Sequence, residues 1–375
     1  MRIILNTKAL LFPKTGIGYY VHNLYRGLLH SKDIEVHPTL NTHSLNILRL
    51  MSKGAQACRK LIGDAVLKIS IPIGDLLILN REKRNNLPVA DIYHETSHDE
   101  IPKGIWKTVA TVHDLAFVHH PDYLPENVVQ KYRSNLEYIV KADRFIVTTE
   151  AIKREVMFFF NIAEEKIDVI PLAPSGNYYP VNKDNMEKKK YVNRYTQGNY
   201  ILFVGTIEPR KNIPTILKAF SILKNRDHLK LILAGGKGWL YDDILALPHK
   251  LGIQDDVVFT GYVDEKTILY LYNYATAVVY PSFYEGFGLP VIEAMSCGVP
   301  VIISDIPPLR EVTKGAALVF NPKDHEELAR KIEMILSSES LRSELIQKGL
   351  QKANEYSWEK VVTSTIQAYK KALER

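Results

Sequence analysis

Short apolar, β-branched runs alternate with longer stretches of helical periodicity along most of this chain. Ile3-Ile4-Leu5 reads as a first buried strand, followed by a glycine loop, Gly16-Ile17-Gly18, and a helix from about Tyr19 to Leu29. Thr108–Val112, Arg144–Thr148 and Ile167–Ile170 read as further strands. A helix over Pro125–Lys141 carries its proline at the start, where the missing N–H is not needed. Strands this uniformly apolar, separated by helices, predict a parallel sheet covered on both faces. The stretch 173–190, APSGNYYPVNKDNMEKKK, has little apolar periodicity and many loop formers, and reads as a linker. After it the rhythm restarts, with a strand at Tyr200–Val204 and a helix at Ile213–Lys224. Strands follow at Lys230–Ala234, Val257–Thr260, Ala277–Tyr280 and Val299–Ile303, and Ser357–Arg375 is an amphipathic helix. The fold class is therefore α/β, in two domains of similar size.

A length of 375 residues agrees, being more than one ordinary core accommodates. A composition 46% hydrophobic and 24% charged excludes the disordered and fibrous classes. The net charge of +6 is too mild to select an anionic partner, and no basic stripe with interleaved aromatics supports nucleic-acid binding. Two cysteines cannot build a disulfide framework, which suits a reducing cytoplasm. The first residues, MRIILNTKALLF, lack the features of a signal peptide, and no apolar run approaches the length needed to cross a bilayer. A cytoplasmic protein is the expectation. One segment modifies it: 43–84 carries eight Lys or Arg against three acids, with apolar runs between them. That mixture suits peripheral contact with the inner face of a membrane, or simply a strand and two helices of a domain with a solvated basic face.

Candidate chemistry gathers in two stretches. In YILFVGTIEPRKN (200–212) a strand ends at Val204 and a loop carries Gly205, Glu208, Arg210 and Lys211, with Asn212 placed to cap the next helix. Ligands of open parallel sheets sit beyond the carboxyl ends of the strands, so Arg210 and Lys211 stand where phosphate would be neutralised. Two ordinary surface cations are the competing reading.

In YEGFGLPVIE (284–293) two glutamates stand eight positions apart on either side of a helix start. The strand Ala277–Tyr280 leads into a loop, and Leu289-Pro290 opens a helix that runs to Ser296 and is ended by Gly298. Gly286 and Gly288 permit close approach of a ligand, and the first-turn N–H groups favour an anion. Glu285 lies in the loop and Glu293 in the first helical turn. A hydrolase would use the pair as acid and base, but an anion seat between them has no use for a simple glycoside. A nucleotide sugar fits better: pyrophosphate at the helix start, ribose hydroxyls on Glu293, sugar hydroxyls on Glu285. The competing reading is a glutamate complementing the helix dipole and an exposed loop glutamate.

His113 follows the strand TVATV and would face the same kind of crevice. A zinc site from His113, His119 and His120 is disfavoured, because their spacing matches no helical ligand pair. Gly16 and Gly18 follow a first strand and precede a helix, where an anion could approach closely or the chain could merely turn.

These residues carry a resemblance. Glu285-x7-Glu293 within PSFYEGFGLPVIEAMSCGVPVI resembles the signature of the group 1 (family 4) retaining glycosyltransferases. VGTIEPRKN at 204–212 resembles that family's diphosphate loop, and VHD at 112–114 and TGIGYY at 15–20 resemble its N-terminal half. The resemblance spans nearly the whole chain. It implies the GT-B fold, two Rossmann-like domains facing across a cleft. Residues 1–180 would bind the acceptor and 181–355 the nucleotide-sugar donor. Residues 356–375 would form a helix crossing back to the first domain, a feature YSWEKVV at 356–362 is similar to.

By the same likeness Glu293 would hold the ribose and Glu285 the sugar hydroxyls. Phe287, Gly288 and Leu289, with Gly286 beside them, would present backbone amides. Lys211 would neutralise the diphosphate, His113 would hydrogen-bond the transferring sugar, and the loop of Gly16 and Gly18 would close over donor and acceptor. Thr206 stands where the family often has a cation, which leaves Arg210 to carry that charge.

The implied activity is retaining transfer of a hexose from a nucleotide-diphosphate sugar to a glycan or lipid-linked acceptor, with the departing phosphate deprotonating the acceptor. No Asp-x-Asp triplet occurs, so no metal and no cofactor are expected. GDP-mannose is the favoured donor, because VGTIEPRKN and TGIGYY resemble those of mannosyltransferases. Alternatives are a UDP-sugar such as UDP-glucose, an epimerase or phosphorylase of the same architecture, and a non-catalytic sugar-nucleotide or glycan-binding module. The joint presence of His113, Lys211, Glu285 and Glu293 counts against the last.

Overall fold

The computed structural model describes residues 1–11, 16–41, 77–79, 89–174, 178–182, 186–224 and 226–374. The chain forms two compact units. The first comprises Met1–Leu115, Gln130–Leu172 and Trp358–Arg375; the second comprises Ala116–Val129 and Ala173–Ser357.

The first unit is built on a seven-stranded sheet in the order β3-β2-β1-β4-β5-β6-β7. Its strands are β1 (Arg2–Asn6), β2 (Glu35–Asn41), β3 (Leu77–Leu79), β4 (Ile92–Glu95), β5 (Lys107–Val112), β6 (Arg144–Val147) and β7 (Ile167–Val169), all paired in parallel. Ile3, Ile4 and Leu5 are all fully buried. Successive strand residues point to opposite faces, so layers must cover both. Helices α1 (Gly16–Leu29), α2 (Glu126–Ile139) and α3 (Glu150–Phe160) follow β1, β5 and β6 in the chain.

The second unit carries a six-stranded parallel sheet in the order β10-β9-β8-β11-β12-β13. Its strands are β8 (Tyr200–Val204), β9 (Lys230–Ala234), β10 (Val257–Gly261), β11 (Ala277–Tyr280), β12 (Val301–Ser304) and β13 (Leu318–Phe320). The helices that matter below are α4 (Met186–Asn193), α5 (Ile213–Ser221), α6 (Glu265–Tyr274) and α7 (Leu289–Ser296).

The last helix, α8 (Trp358–Leu373), belongs to the first unit and packs on α1, β5 and β6. Its approach to α1 is close: a Cβ built on Gly27 would lie 2.3 Å from Val362 Cγ2. A buried polar chain ties the same helix to the sheet. His94 Nδ1 meets the Tyr369 hydroxyl and its Nε2 meets Thr111 Oγ1, each at 2.7 Å, and Tyr20 reaches the same threonine at 3.0 Å. Burial holds His94 neutral, with its pKa pushed down to about 3.

Several expectations need correction. Gly16 and Gly18 are not loop residues but lie in the first turn of α1, Gly18 buried. The linker reading of 173–190 fails from Met186 onward, where α4 begins. Strands β2, β4 and β13 were not anticipated, whereas β3 falls in the stretch 43–84, where a strand was one of the two readings. β2 carries Pro38 and β4 reads IYHE, so neither shows an apolar run. β4 is nevertheless buried along its length, because tertiary partners satisfy its His and Glu. Apart from β3, the basic stretch 43–84 lies outside the described residues. Among the described residues no helix is long and apolar enough to cross a membrane.

Candidate functional site

The order of the second sheet reverses between β8 and β11: the chain builds outward from β8 through β9 to β10, then returns to place β11 on its other side. Loops leaving the carboxyl ends of such a strand pair diverge, and ligands bind in the crevice they open. The two stretches singled out in the sequence are these two loops.

After β8 the chain turns through Pro209–Lys211, and the Phe283 amide donates to the Arg210 carbonyl at 3.0 Å, joining the loops. Asn212 occupies the expected position before α5, but in left-handed backbone (φ 53°) and without capping the helix through its side chain. Its side-chain amide instead donates to the Pro281 carbonyl at 2.9 Å, pinning the first loop to the second, and to the Pro322 carbonyl beyond β13 at 2.8 Å. Gly235, after β9, supports the first loop from behind. A Cβ there would sit 1.9 Å from the Gly205 carbonyl oxygen, so only glycine lets the two backbones approach.

Lys211, Arg210 and Glu285 converge in this frame. Lys211 Nζ donates to Glu285 Oε1 at 2.6 Å and to the Tyr280 hydroxyl at 2.9 Å. Arg210 Nη1 donates to Glu285 Oε2 at 3.2 Å and to the Tyr284 carbonyl at 3.1 Å. Its Nε and Nη2 both donate to Glu208 Oε1, at 3.1 and 2.8 Å. All but Arg210 are buried. Burial opposes the charge on Glu285, but the ammonium and guanidinium outweigh it and hold its carboxyl at about 2. Burial and the neighbouring Arg210 lower the pKa of Lys211, against the pull of Glu285 and Glu208.

The loop continues through Gly286 and Phe287 into α7. Of the two glycines Gly288 takes the left-handed backbone, at φ 102°, as the residue preceding the helix. Glu293 falls in the second turn of α7 rather than the first, since the helix begins at Leu289. Its carboxyl is buried and accepts from the Tyr272 hydroxyl of α6 at 3.2 Å. Burial raises its pKa to about 7, against the pull of that single hydrogen bond. The two glutamates thus have separate partners and opposite protonation tendencies.

His113 belongs to the first unit, just past β5. Its Nε2 lies 3.0 Å from the Thr96 carbonyl, so this nitrogen carries the proton and donates. Burial lowers its pKa to about 4, so the ring is neutral and Nδ1 can accept. Tyr20 contacts it edge-on, with ring centroids 4.8 Å apart. Gly16 and Gly18 are in the same unit. His119 and His120 fall in the other, where His119 lies tilted against Tyr284 and His120 meets it edge-on, with ring centroids 5.2 and 5.6 Å away.

The sequence reading named Glu208 only as a loop residue and Asn212 only as a helix cap, and gave Tyr280 and Tyr272 no part in the site. Glu208 offered a signal, an acid two residues before Arg210. The others act through contacts that span 69 residues for Lys211 and Tyr280 and 21 for Tyr272 and Glu293, beyond any local pattern.

The family profile of group 1 glycosyl transferases matches residues 184–352, and that of glycosyltransferase family 4 matches residues 90–173. The chain is 34% identical to the O-antigen chain mannosyltransferase B of Escherichia coli, over 99% of this chain and 100% of that one. It belongs to the group 1 glycosyltransferases. This glycosyltransferase is also 35% identical to the O-antigen chain mannosyltransferase RfbU of Salmonella typhimurium (strain LT2), over 62% of this chain and 61% of RfbU. Among solved structures, Anabaena HepE in complex with UDP-glucose superposes with a TM-score of 0.71 over 98% of each chain at 14% identity. That level of identity carries the fold, GT-B.

Proposed function

We propose that this glycosyltransferase moves mannose, with retention, from GDP-mannose to a glycan or lipid-linked acceptor. The observation that carries the donor half is the Arg210–Lys211–Glu285 cluster at the β8/β11 switch point, beside the start of α7. The choice of mannose is supported by the two mannosyltransferases to which the chain is similar.

Lys211 commits two of its three N–H donors to Glu285 and Tyr280, and the third serves a phosphate oxygen. Arg210 and the first-turn amides of α7 add positive potential where negative charge grows on the leaving diphosphate. These groups do the work a metal would otherwise do, so transfer proceeds without one. Glu285 accepts from sugar hydroxyls and Glu293 from the ribose diol. The sugar–phosphate bond breaks with its electron pair leaving on phosphate. The acceptor oxygen bonds the same carbon from the same face, and its proton passes to the departing phosphate. His113 Nδ1 accepts from a sugar hydroxyl and, being neutral, adds no charge.

Thermal unfolding with GDP, UDP, ADP and dTDP tests the base, because a ligand bound to the folded state raises its apparent stability. GDP should give the largest shift. A larger shift with UDP would replace the mannose reading with transfer from a UDP-sugar. NMR of the product's anomeric carbon checks retention.

Glu293 makes nucleotide affinity pH-dependent. Its carboxyl lies above its ordinary value, at about 7, and only the ionised form accepts from both ribose hydroxyls. Affinity should therefore strengthen about tenfold between roughly pH 6 and pH 8. Calorimetric titration with GDP would show it, and Glu293→Gln should flatten the profile. A wild-type affinity constant across that range contradicts the assignment.

A further inference from the structure

The first unit repeats, with different residues, the charge layout of the second. Its strand order reverses between β1 and β4, which end at Asn6 and Glu95. Glu95 is buried and accepts from Asn6 Nδ2 at 2.9 and 2.7 Å, the Ser97 amide at 2.8 Å, the Asp99 amide at 3.1 Å and the Tyr93 hydroxyl at 3.2 Å. These bonds occupy both its oxygens and fold the following loop back over the sheet end. The loop passes through His98 in left-handed backbone (φ 56°), a conformation that persists only where the surroundings enforce it. Asn135 Nδ2 of α2 holds the His98 carbonyl at 2.8 Å.

The result is to deliver Asp99 to Lys8, which lies just beyond β1. The two form a buried ion pair. A second ammonium, Lys131 of α2, lies 4.0 Å from the other Asp99 oxygen and is half exposed. In the second unit a lysine after β8 meets a carboxylate after β11 across the reversal. Here a lysine after β1 meets a carboxylate after β4 across the reversal. A buried ion pair is poor value as a stabiliser, because desolvation consumes most of its attraction. Two ammonium groups converging on one carboxylate at a switch point are better explained by a polar ligand that shares them. The position supports this, because Thr96 and His98 of the same loop adjoin His113.

We propose that Lys8, Asp99 and Lys131 form a saccharide site that holds the acceptor, Asp99 accepting from one hydroxyl of a vicinal pair and the ammonium groups donating to the other oxygen. The assignment rests on the transfer reading above and supplies its acceptor half. It makes Lys8, Asp99 and Lys131 determinants of acceptor choice.

The test uses the full-length enzyme with octyl α-mannoside, α-glucoside and α-galactoside as acceptor probes and the donor identified by the nucleotide screen. Lys131→Gln, on an exposed helix face, is the primary variant; Lys8→Gln and Asp99→Asn accompany it, with thermal unfolding as the folding check. The acceptor KM should rise at least tenfold in Lys131→Gln and be largely restored in Lys131→Arg. Nucleotide affinity should stay within twofold of wild type. An unchanged acceptor KM in Lys131→Gln overturns the proposal, as does a parallel loss of nucleotide affinity, or failure of the wild type to use any of the three probes. A wrong donor reading would show instead in the nucleotide screen and in acceptor-free donor hydrolysis, which do not depend on this site.

Discussion

Glu285→Gln should bind nucleoside diphosphate at least as tightly as the wild type while transferring sugar about a hundredfold to a thousandfold more slowly. The asymmetry follows from the geometry. The Glu285 carboxylate contacts both Lys211 and Arg210, and those cations hold it ionised. An amide accepts a hydrogen bond but carries no charge, so the two cations become more available to a diphosphate. The sugar loses its ionised hydroxyl acceptor, and the rate falls because that contact strengthens as charge develops. Calorimetric titration with nucleotide and a radiolabelled transfer assay separate the two effects. A variant that transfers at the normal rate would remove Glu285 from the reaction.

Lys211→Met carries the second large effect, and it acts on stability as well as binding. Taking one partner from a buried pair leaves the other charge uncompensated, at a cost of about 3–5 kcal/mol. Arg210 still faces Glu285, so the lower end, about 3 kcal/mol, is expected. For a unit of this size that lowers the melting temperature by roughly 6–12 °C. Donor affinity should also fall, because one of the two cations that face the diphosphate is gone. Lys211→Met combined with Glu285→Gln should recover most of the stability, since removing both partners leaves no orphaned charge. It should recover none of the activity. If the double variant regains activity along with stability, the lysine is a structural residue only.

Much of the site was legible because its signals are local. Leu289-Pro290 and Gly298 bound α7 as read, and Gly286 and Gly288 marked the loop before it. The apolar runs YILFV, KLILA and AVVY became strands with unchanged limits, because a fully buried strand must be apolar on both faces. Two of the missed strands have the opposite cause. β2 and β4 contain Pro38, His94 and Glu95, residues whose own preferences argue against a buried strand. They are accommodated by partners that sequence distance hides, such as Asn6 for Glu95 and Tyr369 for His94. Gly16 and Gly18 looked like a turn because glycine usually marks one, yet the first turn of a helix tolerates them.

The sequence by itself determined the α/β class, the two-part organisation, the family and which loops hold Arg210, Lys211, Glu285 and Glu293. These follow from periodicity, turn chemistry and a motif a few residues long. Only the tertiary structure decided that Glu285 is ionised between two cations while Glu293 is buried beside Tyr272 and pushed towards neutrality. It also decided that the first sheet sets Lys8 against Asp99 in the same relation. Charge states and ion pairs depend on desolvation and on which strands become neighbours, and both are settled when distant segments pack.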